Sequence, residues 1–256
     1  MKATIEYNSR KITINVSEPI DISIPIDMEK ENINAWGIDD PKISVEKFDG
    51  YEVSVANGAV VNFNSIQFNP HSHITHTECV GHITKKVHSV NQNLKHYFFV
   101  SEVVTVAPEK KGDDFIISKK QLKTALKNKK RDAIVIRTLP NLSDKKTTRY
   151  FNTNPPYLSE DAALYLVEKG IKHLLVDLPS VDKEKDGGKL IVHHTFWNTK
   201  GTLRMDATIT EFIFVPNTVE DGEYLLNLMI APFENDATPS KPILYKIIKW
   251  NRKPCT

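Results

Sequence analysis

The segment HSHITHTECVGH, residues 71–82, holds His71, His73, His76 and His82, four of the nine histidines in a chain of 256 residues. Even spacing would put fewer than one histidine in a window of that length. Imidazole is the commonest side-chain ligand for zinc and related ions, and Glu78 stands among the rings with the oxygen and negative charge a cation site needs. On an extended segment His76 and Glu78 share a face. If the chain turns helical after Glu78, His82 falls four residues on along the same side. The cluster is therefore read as a binding site for a divalent metal. Exposed loop histidines or hydrogen-bonded core histidines are the bland alternative, which suits a lone histidine better than a cluster.

Two distant places could complete such a site. VHHTFW puts His193 and His194 at the end of an apolar run; on a strand, neighbouring histidines face opposite ways, so at most one joins the cluster. Glu211 sits inside the apolar segment ITEFIFVP, where an ionised carboxylate is costly without a cation or donors. An edge-strand glutamate facing water is the other reading of that position. Phe196 and Trp197 either pack in the core or stack on an aromatic substrate. Cys79 has no identifiable activating base, so packing is preferred to nucleophilic catalysis.

The elements that must carry these residues follow from periodicity. TIEY, KITINV, DISIPI, YEVSVA and VVNFNSIQF alternate apolar and polar residues, so the first hundred residues read as mostly β. Ser118 can cap a helix with Leu122 and Leu126 on its apolar stripe, followed at once by the buried-looking strand AIVIRT. Ser159 opens a second helix with Glu160 and Asp161 in its first turn, and Gly170 stops it before HLLVDLP, another apolar strand. Helix then apolar strand, twice over, predicts parallel strands covered by helices. ITEFIFVP, YLLNLMIAPF and PILYKIIKW return to β character. Asp186, Gly187 and Gly188 read as a turn. Lys119, Lys120, Lys123, Lys127, Lys129, Lys130 and Arg131 read as a solvated face rather than a nucleic-acid patch. The expectation is one mixed α/β domain over residues 1–256.

Bulk properties restrict the function. Thirty-four basic against thirty-two acidic side chains give a weak long-range field, so neither nucleic acid nor an anionic membrane is an expected partner. Cys79 and Cys255 are too few for a disulfide framework, and with no apolar leader at the N-terminus the chain is expected in the cytoplasm.

THTECVGH resembles the signature of the metal-dependent cyclase-like hydrolases, the group of kynurenine formamidase and isatin hydrolase, whose pattern reads H-x-G-T-H-x-D-x-P-x-H. The likeness extends in order through DISIPI near Asp21, YLSEDAALYLVEKGIK, VDLPSVD, His193, Glu211 and DGEYLLNLMIAPF. It implies a swivelling β/β/α-type fold with a small β-barrel-like core flanked by helices. It also implies metal ligands at His76, Glu78, His82, His193 and Glu211. Ser72 and Ile74 stand where the first motif His and the Gly belong, so His71 serves only if the loop holds an extra residue; His73 is the other candidate. Val80 replaces the motif Pro, Glu78 is one methylene longer than Asp, and the His193 to Glu211 interval implies an inserted turn around Asn198 to Gly201.

By this resemblance the chain is expected to be an amidohydrolase of the kynurenine formamidase type, acting in tryptophan catabolism or on another small-molecule amide. Zn²⁺, or Mn²⁺ in its place, would activate water, with Glu78 bridging if two ions bind and either His194 or a metal-bound hydroxide as the base. Family members are usually homodimers or homotetramers, which is the expectation here. The alternatives are a hydrolase of the same fold acting on another cyclic amide, imide or lactone, and a degenerate, non-catalytic metal-binding or ligand-binding protein.

Overall fold

The runs AIVIRT and HLLV form adjacent parallel strands, every residue of both buried. Such continuous apolar strands need cover on both faces. The computed structural model describes residues 1–8 and 10–252; Cys255 lies outside the described residues. Seven strands close into a barrel. In chain order they are β1 (His76–Glu78), β2 (Phe98–Val106), β3 (Ala133–Thr138), β4 (His173–Val176), β5 (Thr208–Glu211), β6 (Gly222–Ile230) and β7 (Ala237–Arg252). Around the barrel the order is β7-β6-β2-β3-β4-β5-β1, and β1 pairs back onto β7. Strands β2 to β5 run parallel, while the remaining pairings are antiparallel.

Three helices supply the outer cover between the parallel strands: α1 (Lys119–Leu126), α2 (Glu160–Glu168) and α3 (Ile191–Phe196). Ser118 and Gln121 form a reciprocal capping box at α1, satisfying backbone N–H groups at its first turn. Leu122 and Leu126 of α1, Ala162 and Leu166 of α2, and Phe196 of α3 pack with Ile134, Ile136, Leu174 and Val176. The alternate positions Val135 and Leu175 join a second core with Val103, Leu226 and Leu244. This alternation follows from the two-residue period of a strand. The mixed α/β fold with a barrel core and flanking helices is thus the observed architecture.

Three expectations change. LIVHH is not a strand end but the start of α3, reached through Leu190 at φ 42° after the Asp186 to Gly188 turn. Arg131 is not solvated but buried, and both it and the half-exposed Lys129 meet the buried Glu102 carboxylate on β2. The early strands are also shorter than their alternation suggests. DISIPI gives only Ile20–Asp21 against β7 and one bridge from Ser23 to Ile213.

The Lys2–Tyr7 and Arg10–Asn15 hairpin extends the sheet from β7. A separate ribbon leaves the body: Lys42–Val45 pairs with Asn64–Gln67, and Lys47–Phe48 with Tyr51–Glu52, all exposed. Among the described residues no helix is long and apolar enough to cross a membrane.

Candidate metal centre

The His-rich segment is built from three short pieces, each with a local cause. Pro70–His73 makes one helical turn, started by Pro70 and capped by the Asn69 side chain, which accepts from the backbone N–H of His71. β1 follows, and its register sets His76 opposite Glu211 of β5. The chain then tightens into a 3₁₀ turn, Val80–Ile83, which carries His82. Gly81 is required there: a Cβ would lie 2.1 Å from the carbonyl oxygen of His88. His193 arrives from α3, whose start is held by the Asp182 carboxylate accepting from the N–H groups of Val192 (2.7 Å) and His193 (3.1 Å).

Four imidazoles converge on two buried carboxylates. His71 Nδ1 lies 3.2 Å and His82 Nε2 3.8 Å from Glu78 Oε2, and His193 Nε2 lies 3.1 Å from Glu78 Oε1. His76 Nε2 lies 3.4 Å from Glu211 Oε2. Each ring spends its other nitrogen on an outer acceptor. His76 Nδ1 donates to the Ile74 carbonyl (3.0 Å), and His193 Nδ1 to Asp182 (2.6 Å). His71 Nε2 and His82 Nδ1 share one oxygen of Asp236, each at 3.1 Å. These outer bonds fix the tautomers, so every neutral ring turns a lone pair toward carboxylate oxygens.

Lone pair against lone pair is repulsive unless positive charge lies between. Glu78 and Glu211 are 0 % and 3 % exposed, and His76 Nε2 and Glu78 Oε2 are buried without any hydrogen-bond partner. Protons supply the charge in the metal-free cluster. Burial opposes protonation of His71, yet the hydrogen bond to Asp236 and the adjacent Glu78 carboxylate raise its pKa to about 10. His193 is likewise raised to about 10 against burial, by Asp182 and then Glu78. Burial also works against the Glu78 carboxylate, but His82, His193 and His71 pull it well below the usual range. A divalent cation would satisfy the same lone pairs with the ligand types it prefers. Potential donors fall into His71, His76 and Glu78; Glu78, His82 and His193; and His71, His82 and Asp236.

Residues 20–183 match the family described as "Putative cyclase". The chain belongs to the cyclase family. Solved structures share its fold. A novel cyclase superimposes with a TM-score of 0.68 at 13% identity, covering 91% of this chain and 90% of its own. A predicted metal-dependent hydrolase from Bacillus stearothermophilus gives 0.62 at 17% identity, with 89% and 98% covered. An isatin hydrolase bound to the product analogue thioisatinate gives 0.59 at 14% identity, with 90% and 92% covered. No curated protein matches the sequence.

In this cyclase-family chain His71, His76, Glu78, His82, His193 and Glu211 all lie in one cluster. The helical turn at Pro70–His73 brings His71 rather than His73 to it. His73 Nδ1 accepts from the N–H of Asn69, and the ring lines a different cleft with Asp39 and Asp40. His194 does not join: one step along a helix its ring turns away, and Nδ1 pairs with Thr199 Oγ1 at 2.6 Å. Phe196 and Trp197 are fully buried, Trp197 donating to the Ala207 carbonyl, so they are core and not a substrate platform. Cys79 is buried with its thiol on the His88 carbonyl, and burial raises its pKa, opposite to activation. Between His193 and Glu211 the chain turns at Trp197 to Lys200, directly after α3.

Sequence reasoning missed two residues. Asp236 precedes β7, and nothing but an acid beside a strand marks it. Asp182 ends VDLPSVD, eleven residues before His193, but the spacing carries no helical or strand periodicity to link them. Phe212, directly after Glu211, holds φ 56° while packing between His76 and Tyr150. Such strain in a non-glycine residue clusters at functional sites.

Proposed function

We propose that this chain is a metal-dependent hydrolase that cleaves the carbon–nitrogen bond of an N-formyl or cyclic amide, resembling kynurenine formamidase. The observation that carries this reading is the set of four imidazoles whose inward nitrogens face Glu78 and Glu211 while Ile74, Asp182 and Asp236 hold the outward ones. His71, His76 and Glu78 would hold one Zn²⁺ or Mn²⁺. Glu78, His82 and His193, with Glu211 beside them, would hold a second. The ion would supply Lewis acidity, bringing the pKa of water to about 7 for zinc and polarising the carbonyl.

The protein's own groups do the rest. Asp182 fixes the His193 ring, and the Glu211 carboxylate, accepting from Val181 N–H at 2.9 Å, is held against His76. Asp236, His71 and His82 form the more open rim, 20–30 % exposed against 0–4 % for the inner side chains. That rim is where a proton can pass to the leaving nitrogen, taking the role expected of His194. A narrow slot lined by Trp36, Tyr150, Pro155 and Pro179 adjoins the cluster through Asp182, and the Trp36 indole donates to the His71 carbonyl at 3.1 Å. The fold shared with an isatin hydrolase supports a cyclic amide as substrate class.

Elemental analysis of protein purified without a chelating tag, followed by assays on an N-formyl arylamine, a cyclic amide and a lactone, tests the proposal. Bound metal with amide turnover is expected. Lactone turnover alone would move the substrate class, and metal without turnover on any of them would favour the binding-protein alternative. His76→Ala should lose both metal and activity; full retention of both would refute the ligand assignment.

A further inference from the structure

The charge-rich turn VDKEKDGGK leads from Asp182, which holds His193, to the start of α3. Asp186 accepts from the N–H groups of Gly188 (2.7 Å) and Leu190 (2.6 Å). Gly187 and Gly188 both take left-handed φ, 72° and 75°, which side chains disfavour. The chain thereby doubles back, and Lys185 and Lys189 line one cleft, on the far side of Asp182 from the imidazoles it serves. A small sheet supplies further lining. In it Glu109–Lys111 pairs with Asp114–Ile117, which pairs in turn with Tyr157–Leu158.

The cleft holds about 370 Å³, and Ile116, Leu158 and Val192 give it a buried apolar floor. Lys111, Lys185 and Lys189 stand exposed around that floor and form no ion pair among the described residues. The other charges in the lining are mostly spent. Lys183 meets Asp114 at 2.7 Å, Asp182 is committed to His193, and Asp186 to its two backbone donors. Only Glu160 is left to oppose three free cations. A merely solvated lysine face needs no cavity and no apolar floor, whereas concave apolar lining with a few convergent polar groups is the makeup of a small-molecule site. We propose that this cleft is an effector site for a small organic carboxylate, its apolar body on Ile116, Leu158 and Val192 and its carboxylate among Lys111, Lys185 and Lys189.

Val192 joins the cleft to the metal centre. It lines the cleft, while its N–H donates to one oxygen of Asp182 at 2.7 Å; the other oxygen holds His193 by both its backbone N–H and Nδ1. An occupant bridging Lys111 on the small sheet to Lys185 and Lys189 on the turn would restrain the turn, and with it the grip of Asp182 on α3. Coupling of this kind runs equally in both directions. On the reading given under Proposed function, water adding across the C–N bond of an amide leaves an amine and a carboxylate, so a product could act back on the centre that formed it. That last step rests on the hydrolase reading; the binding does not.

Titration calorimetry of the full chain, metal-free, with benzoate, benzyl alcohol and inorganic phosphate tests the proposal without reference to turnover. Benzoate should bind at least about tenfold tighter than either of the others, since only it offers both the apolar body and the charge. The Lys185→Ala/Lys189→Ala double variant should weaken benzoate at least about tenfold. Its far-UV circular dichroism and thermal midpoint should match the wild type, because both side chains are exposed. Lys2→Ala/Lys11→Ala removes the same charge from the N-terminal hairpin and should change the affinity less than about twofold. Saturating benzoate should slow amide exchange at Val192 and His193 at least about threefold. No benzoate binding at about 10 mM, equal binding of phosphate or benzyl alcohol, or benzoate binding untouched by the cleft variant would overturn the site. Binding with unchanged exchange at Val192 and His193 would overturn its effector role. Absence of turnover with these results intact would count against the hydrolase reading and not against the cleft.

Discussion

His193 Nε2 stands 3.1 Å from Glu78 Oε1 across 115 residues of sequence, and the other oxygen of Glu78 faces His71 and His82. One carboxylate thus meets three of the four rings. Glu78→Gln keeps the side-chain volume and removes the charge that all three share. Metal affinity and kcat should each fall at least about a hundredfold, and the metal-free variant should melt below the wild type, because the protonated rings of His71 and His193 lose their buried anionic partner. Metal titration and thermal melting check this together.

Asp182 touches no inward ligand atom; it holds His193 and the start of α3. Asp182→Asn should weaken metal binding by about 10–100-fold, the usual effect of losing an outer partner of a ligand histidine. Turnover at saturating metal should recover most of the loss, with KM nearly unchanged. Recovery by added metal separates a positioning role from collapse of the helix.

His194→Ala should leave kcat/KM within about threefold of the wild type, because its ring pairs with Thr199 outside the cluster. A fall of two orders of magnitude in a steady-state assay would return His194 to the mechanism.

Metal binding should release protons at neutral pH. In the metal-free protein His71 and His193 hold their protons up to about pH 10, and a cation needs the same nitrogens. Apparent affinity should therefore rise with pH through neutrality, by up to about tenfold per pH unit for each proton displaced. Calorimetry in two buffers of different ionisation enthalpy should give different heats; equal heats would contradict the displacement.

His173, inside the barrel against Phe99, bears on stability instead. Burial depresses its pKa from 6.5 to about 3. The unfolded chain takes up a proton below pH 6.5 while the folded ring stays neutral, so this contribution is intact above 6.5 and is lost as pH falls toward about 3. The stability lost between pH 6.5 and 5 is about 2 kcal/mol. Denaturant unfolding of wild type and His173→Gln at both pH values should show a shallower acid decline in the variant.

What could be read before the fold was known divides by range. Apolar runs such as AIVIRT and HLLV announced buried parallel strands, because a strand covered on both faces has no polar side to show. Ser118 marked its helix start through capping chemistry that is local in sequence, and Ser159 stands at the N-cap position of its helix without a side-chain cap bond. His76, Glu78 and His82 were legible together because one extended piece and one turn carry them. His194 misled because LIVHH, an apolar run by composition, follows a left-handed Leu190 and winds into a helix held by Asp182. Asp236 was invisible for a related reason: closure of β1 onto β7 alone brings its loop to His71 and His82.

Diffraction from metal-loaded crystals at the zinc and manganese edges tests the central claim most directly. An anomalous peak should lie about 2.0–2.2 Å from the inward nitrogens of the imidazoles and from a Glu78 oxygen, as ligand bonds to such ions require. Metal-loaded crystals with no peak among these atoms, and only water bridging His76 Nε2 and Glu78 Oε2, would contradict it.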